Sequence, residues 1–133
     1  MRNRFFFLLF IIITLTSCGK TPINGDLDGR WQLMKVVFHT NNELVEPKLT
    51  YFDVNLHLMQ LKSLKGGMDA SGIINARFEH AGDSLFIRTI HSTKESVRNF
   101  GLCDTIQHFF IEKLTGKKMI LDSNSSWLEF RKF

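Results

Sequence analysis

The 133-residue chain is 44% hydrophobic and 23% charged, the length of one domain behind a short leader. Its net charge of +4 comes partly from Arg2 and Arg4 at the N-terminus. The other Lys and Arg are scattered among Asp and Glu without a basic stripe, which argues against nucleic-acid binding.

Arg2 and Arg4 form a basic head, Phe5 to Ile13 an unbroken apolar run, and Thr14 to Ser17 a small-residue exit. These are the parts of a secretory signal. The run is shorter than the about 20 apolar residues a membrane-spanning helix needs. Leu15-Thr16-Ser17-Cys18 resembles the bacterial lipobox. That resemblance implies a diacylglycerol on the Cys18 thiol, cleavage just before it and acylation of the new amine. Several acyl chains hold a protein firmly, at about 0.8 kcal/mol per buried CH₂. The alternative is an ordinary signal in which Cys18 is incidental. The lipobox reading divides the chain into a signal peptide (1–17), a lipidated tether (18–28) and a folded domain (29–133). The tether reading rests on "KTPINGDLD", polar with one Pro and one Gly. The resemblance to bacterial lipoproteins further implies the outer membrane, from Gly19 in place of Asp, and a periplasm-facing protein, from the lack of the dense acidic block that resembles a surface-export signal in some gut bacteria. A lipidated Cys18 leaves Cys103 unpaired, so no disulfide framework is expected. Cys103 is then a buried small hydrophobe or a free thiol, and its neighbour in "LCDT" is an acid rather than an activating cation.

Beyond residue 29 the segments are short, rich in Val, Ile, Phe, Thr and Trp, and separated by turn signals. Residues 30–39, "RWQLMKVVFH", read as the first strand. Residues 49–61, "LTYFDVNLHLMQL", alternate with Phe52, Val54, Leu56 and Leu58 on one face, but Met59 and Leu61 switch faces, which predicts a bulge or strong curvature. Residues 63–72, with Gly66-Gly67, read as a loop. Gly82-Asp83 suits a two-residue hairpin turn that sets Phe78 opposite Ile87, Ala76 opposite Thr89 and Ile74 opposite His91. "STKESVRNFGL" predicts a short helix capped by Ser92 or Thr93 and ended by Gly101, lying across an open end. Strands follow at 105–114, 119–122 and 127–133. Seven strands are clear, and an eighth fits between Glu43 and Leu49. Pairing the first with the last would remove both exposed edges, so the expectation is an all-β, antiparallel up-and-down barrel of seven to eight strands with one short helix.

"LDGRWQL" contains Gly29-x-Trp31, and "LEFRKF" contains Arg131. This pattern resembles the lipocalins and calycins, and small lipocalin-like lipoproteins of gut Bacteroidetes. The resemblance implies that Trp31 plugs the closed end of the barrel and that Arg131 packs over it. The chain is shorter than most lipocalins and lacks their disulfide, so any ligand pocket is expected to be small or absent.

A barrel of this size is filled by side chains or holds one small ligand. The residues that would line such a ligand are Phe52, Val54, Leu56, Ile74, Phe78, Ile87, His91 and Phe109, with His91 near one mouth; plain packing is the competing role for each. The five His show no metal-ligand spacing and there is no CxxC, so no metal and no cofactor are expected. No Gly-x-Ser-x-Gly, phosphate loop or strand-borne carboxylate pair points to an enzyme. Two functions remain. One is a lipid-anchored envelope protein that binds a small, mostly apolar ligand or lipid. The other is an envelope interaction module with a solid core, which would use an outer patch of Val36, Phe38, Phe86 and Ile90. Arg77, Arg88 and Arg98 are either solvated surface charge or a cationic patch for an anionic head group.

Overall fold

The computed structural model describes residues 23–64 and 70–133, so Cys18 lies outside the described residues. Alternating apolar residues form nine strands: β1 (Gly29–Phe38), β2 (Glu43–Val45), β3 (Thr50–Asn55), β4 (Leu58–Leu64), β5 (Ala70–Ala81), β6 (Ser84–Thr89), β7 (Ile106–Leu114), β8 (Lys118–Asp122) and β9 (Ser126–Lys132). Every neighbouring pair is antiparallel, and β1 closes on β9 from Trp31↔Lys132 to Phe38↔Ser126. Eight strands thus form a closed barrel, and β2 adds a ninth along the far half of β1. The edge of β1 that faces away from β9 carries β3 on residues 29–32 and β2 on residues 36–38. Residues 46–49 leave the sheet between them.

Three local features differ from the expected pattern. The stretch 49–61 is not one bent strand. It is a hairpin, with Asn55 paired to Leu58 and Leu56-His57 as its turn. Leu56 takes the left-handed φ of 55° there, so it is exposed instead of inward, and so is Leu58. The turn resets the alternation, which puts Met59 and Leu61 in the core. The predicted loop at 63–72 is shorter, since β4 runs to Leu64 and β5 starts at Ala70. Finally, the β1–β9 register shifts between Leu33 and Lys35, a bulge at Met34. Trp31 and Leu33 point inward before it, and Val36 and Phe38 after it. Val36 and Phe38 are therefore buried and do not form the expected outer patch.

The Gly82-Asp83 turn forms with Gly82 at φ 58°, and Phe78↔Ile87 and Ala76↔Thr89 pair as expected. The pairing stops there. His91 turns away at φ 51° and is exposed, so it is not an inward group.

The helix α1 (Lys94–Arg98) follows. Thr93 caps it: its hydroxyl accepts from the Ser96 amide at 3.1 Å, and the Ser96 hydroxyl accepts from the Thr93 amide at 3.0 Å. Gly101 ends the segment at φ 81°, where an added Cβ would lie 2.4 Å from Leu128 Cδ2. Val97, Phe100 and Leu102 join the barrel core beneath.

Candidate functional site

The two ends of the barrel are built differently. At the closed end a 3₁₀ turn (Gly25–Leu27) crosses the opening. Buried Trp31 donates its indole N–H to the Leu27 carbonyl at 2.8 Å. Lys132 Nζ sits 4.1 Å from the Trp31 ring centroid and donates to the Asp26 carbonyl at 3.0 Å and to the Asp28 carbonyl. Burial lowers the Lys132 pKa, against the raising influence of Asp26 and Asp28. Gly29 holds φ 119°, and a Cβ there would come within 3.1 Å of Lys132 Nζ. The Gly of Gly29-x-Trp31 thus supplies both an unusual backbone angle and room for the cation.

The cover over Trp31 is therefore Lys132, not Arg131. The reason is strand parity: Leu128 and Phe130 point inward on β9, so Lys132 continues that face and Arg131 does not. Arg131 instead donates Nε to Gln32 Oε1 at 2.9 Å on the outside, and Gln32 Nε2 donates to the Lys48 carbonyl at 2.8 Å.

At the opposite mouth, the segment after α1 is fastened by a polar network around buried Gln107 and Ser126. Gln107 Oε1 accepts from the Cys103 amide at 2.8 Å, and its Nε2 donates to Ser123 Oγ at 2.7 Å. Ser126 Oγ donates to the Gly101 carbonyl at 2.7 Å. Cys103 is a half-buried free thiol, its Sγ 3.7 Å from the Ser125 carbonyl. This side of the mouth is shut.

Among the described residues the other side is open. A cleft of about 760 Å³ lies between α1, β2, the 46–49 connection and the facing ends of β3, β4 and β5. Val36, Phe38, Val45, Leu49, Ile74 and Phe100 give it apolar walls, and Glu43, Lys48 and Arg98 give it charge. The Arg98 guanidinium stacks 4.1 Å from the Phe38 ring centroid and reaches Glu43 Oε2 at 3.3 Å. Both charged partners are half exposed, so this ion pair is weak and open to exchange.

Of the residues expected to line a ligand, Ile74 alone faces this cleft. Phe52, Ile87 and Phe109 are 0% exposed and Val54 3%, so no space large enough for water touches the first three. Phe52 packs edge-on against Phe130 at 4.8 Å and Phe100 at 6.5 Å. Phe78 packs against the core and borders shallow grooves near the closed end. Leu56 and His91 are exposed turn residues. The interior is packed solid, and the cavity sits above it. Sequence reasoning missed Val45 as a site residue, and it placed Phe38 on an outer patch and Arg98 in a cationic patch with Arg77 and Arg88 instead of together at this cleft. The run Val36-Val37-Phe38, apolar on both parities, was the available signal of the bulge that turns Phe38 toward the mouth. Among the described residues no three His, Cys, Asp or Glu come together as a metal site requires.

No functionally curated protein matches the chain. Two solved structures share its fold. A lipocalin-like protein from Bacteroides uniformis superposes with a TM-score of 0.65 at 22% identity, covering 82% of this chain and all (100%) of that one. An uncharacterized protein from Bacteroides eggerthii gives a TM-score of 0.66 at 18% identity, covering 80% of this chain and 98% of that one. A lipocalin-like domain family matches residues 13–133. With eight strands closed by β1 and β9, and Trp31 buried beneath a cation at the sealed end, the chain belongs to that lipocalin-like family.

Proposed function

We propose that this protein is a lipid-anchored component of the bacterial envelope that binds a small, mostly apolar ligand or lipid. Binding is at the mouth cleft and not in the barrel interior. The observation that carries the reading is the cleft itself: about 760 Å³, walled by apolar side chains, with Arg98 and Glu43 on its rim. Ligand sites are typically apolar concavities with a few polar groups that set orientation. Cys18, in its lipobox-like setting, supplies the anchor, and the outer membrane, periplasmic side, is the proposed location. Among the described residues the cleft is lined mostly by apolar side chains, which fits binding.

Native mass spectrometry of the full chain, together with displacement of a fluorescent naphthylamine probe by long-chain acids and alcohols, tests the proposal. Val45 and Ile73 both line the cleft and are 37% and 50% exposed, so Val45→Asp with Ile73→Asp changes the wall without emptying the core. Probe affinity is expected to fall at least tenfold in the double variant. No ligand carried through purification and no probe binding by the natural chain would overturn it. The interaction-module reading would then stand, favoured by the solid interior and by the exposed Ile106 and Phe110 on β7.

A further inference from the structure

The chain leading out of the folded domain starts at one particular end of the barrel, and this bears on how the mouth is presented. Residues 24–28 are fastened across the closed end. Asn24 Nδ2 donates to the Leu56 carbonyl at 2.7 Å, Trp31 to the Leu27 carbonyl, and Lys132 to the Asp26 and Asp28 carbonyls. Ile23, 64% exposed, borders a groove with His57, Phe78 and His80. The mouth is at the other end, where the His39 amide meets the Ser125 carbonyl and α1 lies across the opening.

Five peptide units join Cys18 to Ile23, and fully stretched they span about 18 Å. The ten residues of β1 run the length of the barrel. At about 3.3 Å per residue that is about 30 Å of strand, or about 23 Å of height at the usual barrel tilt. A lipid on Cys18 therefore cannot let the mouth sit face-down on the bilayer that holds it.

The flank beside Ile23 suits a lipid surface. Leu56 and Leu58 are 54% and 57% exposed. Arg77 and Arg88 stand directly opposite each other on β5 and β6 and share a shallow groove with His57, Phe86 and one acid, Glu79. Like charges facing across an antiparallel pair repel, and an anion between them relieves that repulsion. Among the described residues neither arginine side chain has an ion pair or hydrogen bond.

We infer that the closed end and its β4–β6 flank rest on the anchoring bilayer, with Arg77 and Arg88 against lipid phosphates, so that the mouth cleft opens to the aqueous compartment. This rests on the lipid anchor in the proposed function. Ligand then exchanges with that compartment, not by sliding out of the host membrane into the mouth.

The test uses the full chain, expressed with its N-terminus and reconstituted in phosphatidylcholine–phosphatidylglycerol vesicles that carry a nitroxide quencher at the headgroup. In a Cys103→Ser background, a fluorophore is attached at Leu58→Cys, at Lys117→Cys in the closed-end turn between β7 and β8, or at Asn124→Cys in the mouth turn between β8 and β9. The two closed-end labels are expected to lose at least half their emission and the mouth label less than a tenth. Adding Arg77→Gln and Arg88→Gln is expected to reduce quenching at position 58 at least twofold. Quenching at Asn124 as strong as at Leu58, or none at any position in a lipidated chain, overturns the orientation while leaving the anchor intact. A purified chain whose mass lacks the acyl groups overturns the anchor, and the orientation with it.

Discussion

At the scale of single residues, the closed end turns on which side of β9 a cation occupies. Lys132 and Arg131 are neighbours, yet only Lys132 reaches Trp31 and the carbonyls of the 3₁₀ turn. A cation–π contact contributes about 0.5–2 kcal/mol, and losing the carbonyl contacts adds to the cost. Lys132→Ala is therefore expected to cost about 1–3 kcal/mol in urea denaturation. Arg131→Ala, which removes one partly exposed hydrogen bond, is expected to cost about 1 kcal/mol or less. Equal costs would contradict the assignment. The presence of Gly29-x-Trp31 and of a late cation was legible in the sequence. The alternation of Leu128, Phe130 and Lys132 also carried the choice of cation, but the family resemblance pointed to Arg131 on the opposite face. Asp53 gives a second residue-level expectation. Burial pushes its carboxyl pKa up, but hydrogen bonds and charge from Arg30 at 2.8 Å and Lys62 at 2.8 Å outweigh burial and hold it below the ordinary value. A carboxyl depressed on folding stabilises above its unfolded pKa of about 3.9, and that stabilisation is lost as pH falls through the folded value. Asp53→Asn should thus be less stable than the natural chain at neutral pH, with the gap shrinking as pH falls below the unfolded value of about 3.9. A gap independent of pH would rule out the ion network as its cause.

At the scale of elements, the strands and the hairpin at Gly82-Asp83 could be read directly, because alternation and turn chemistry agreed over both arms. The misreadings arose where a single residue changed the parity. Met34 is an extra residue in β1 signalled only by the apolar run Val36-Val37-Phe38, and strict alternation from Trp31 and Leu33 puts Val36 and Phe38 on the wrong face. The Leu56-His57 turn lacks the usual Asn-Gly or Gly-X signal, since a leucine occupies the left-handed position. Tertiary pairing imposes that turn against local preference. The end of α1 was legible from Gly101, and its role is steric as well as conformational. Gly101→Ala would place a methyl 2.4 Å from Leu128 Cδ2 at a φ of 81°. Strain and overpacking together are expected to cost about 2–5 kcal/mol. Thr93→Ala, which removes the cap at the other end of the segment, should cost only about 1 kcal/mol. Thermal unfolding of the two variants should show that order, and a reversal would mean that Gly101 is not confined by Leu128.

For the molecule as a whole, eight strands hydrogen-bonded in a ring hold a solid core from Trp31 up to Phe100, and the mouth cleft lies above that core. A closed barrel was predictable because first and last strands would otherwise be bare edges. The cleft was not, since its walls come from the β1 bulge, the short β2 and a helix brought together only by closure. One consequence concerns β2. All three of its residues are exposed, and it pairs with β1 alone, over Val36 to Phe38. Few buried contacts mean a low cost of local opening, so the amides of Leu44 and Val45 should exchange with deuterium at least a hundredfold faster than those of Phe52 and Val54. Such a flap can swing away and return while every rung of the main cylinder stays joined, giving a rigid body one yielding wall.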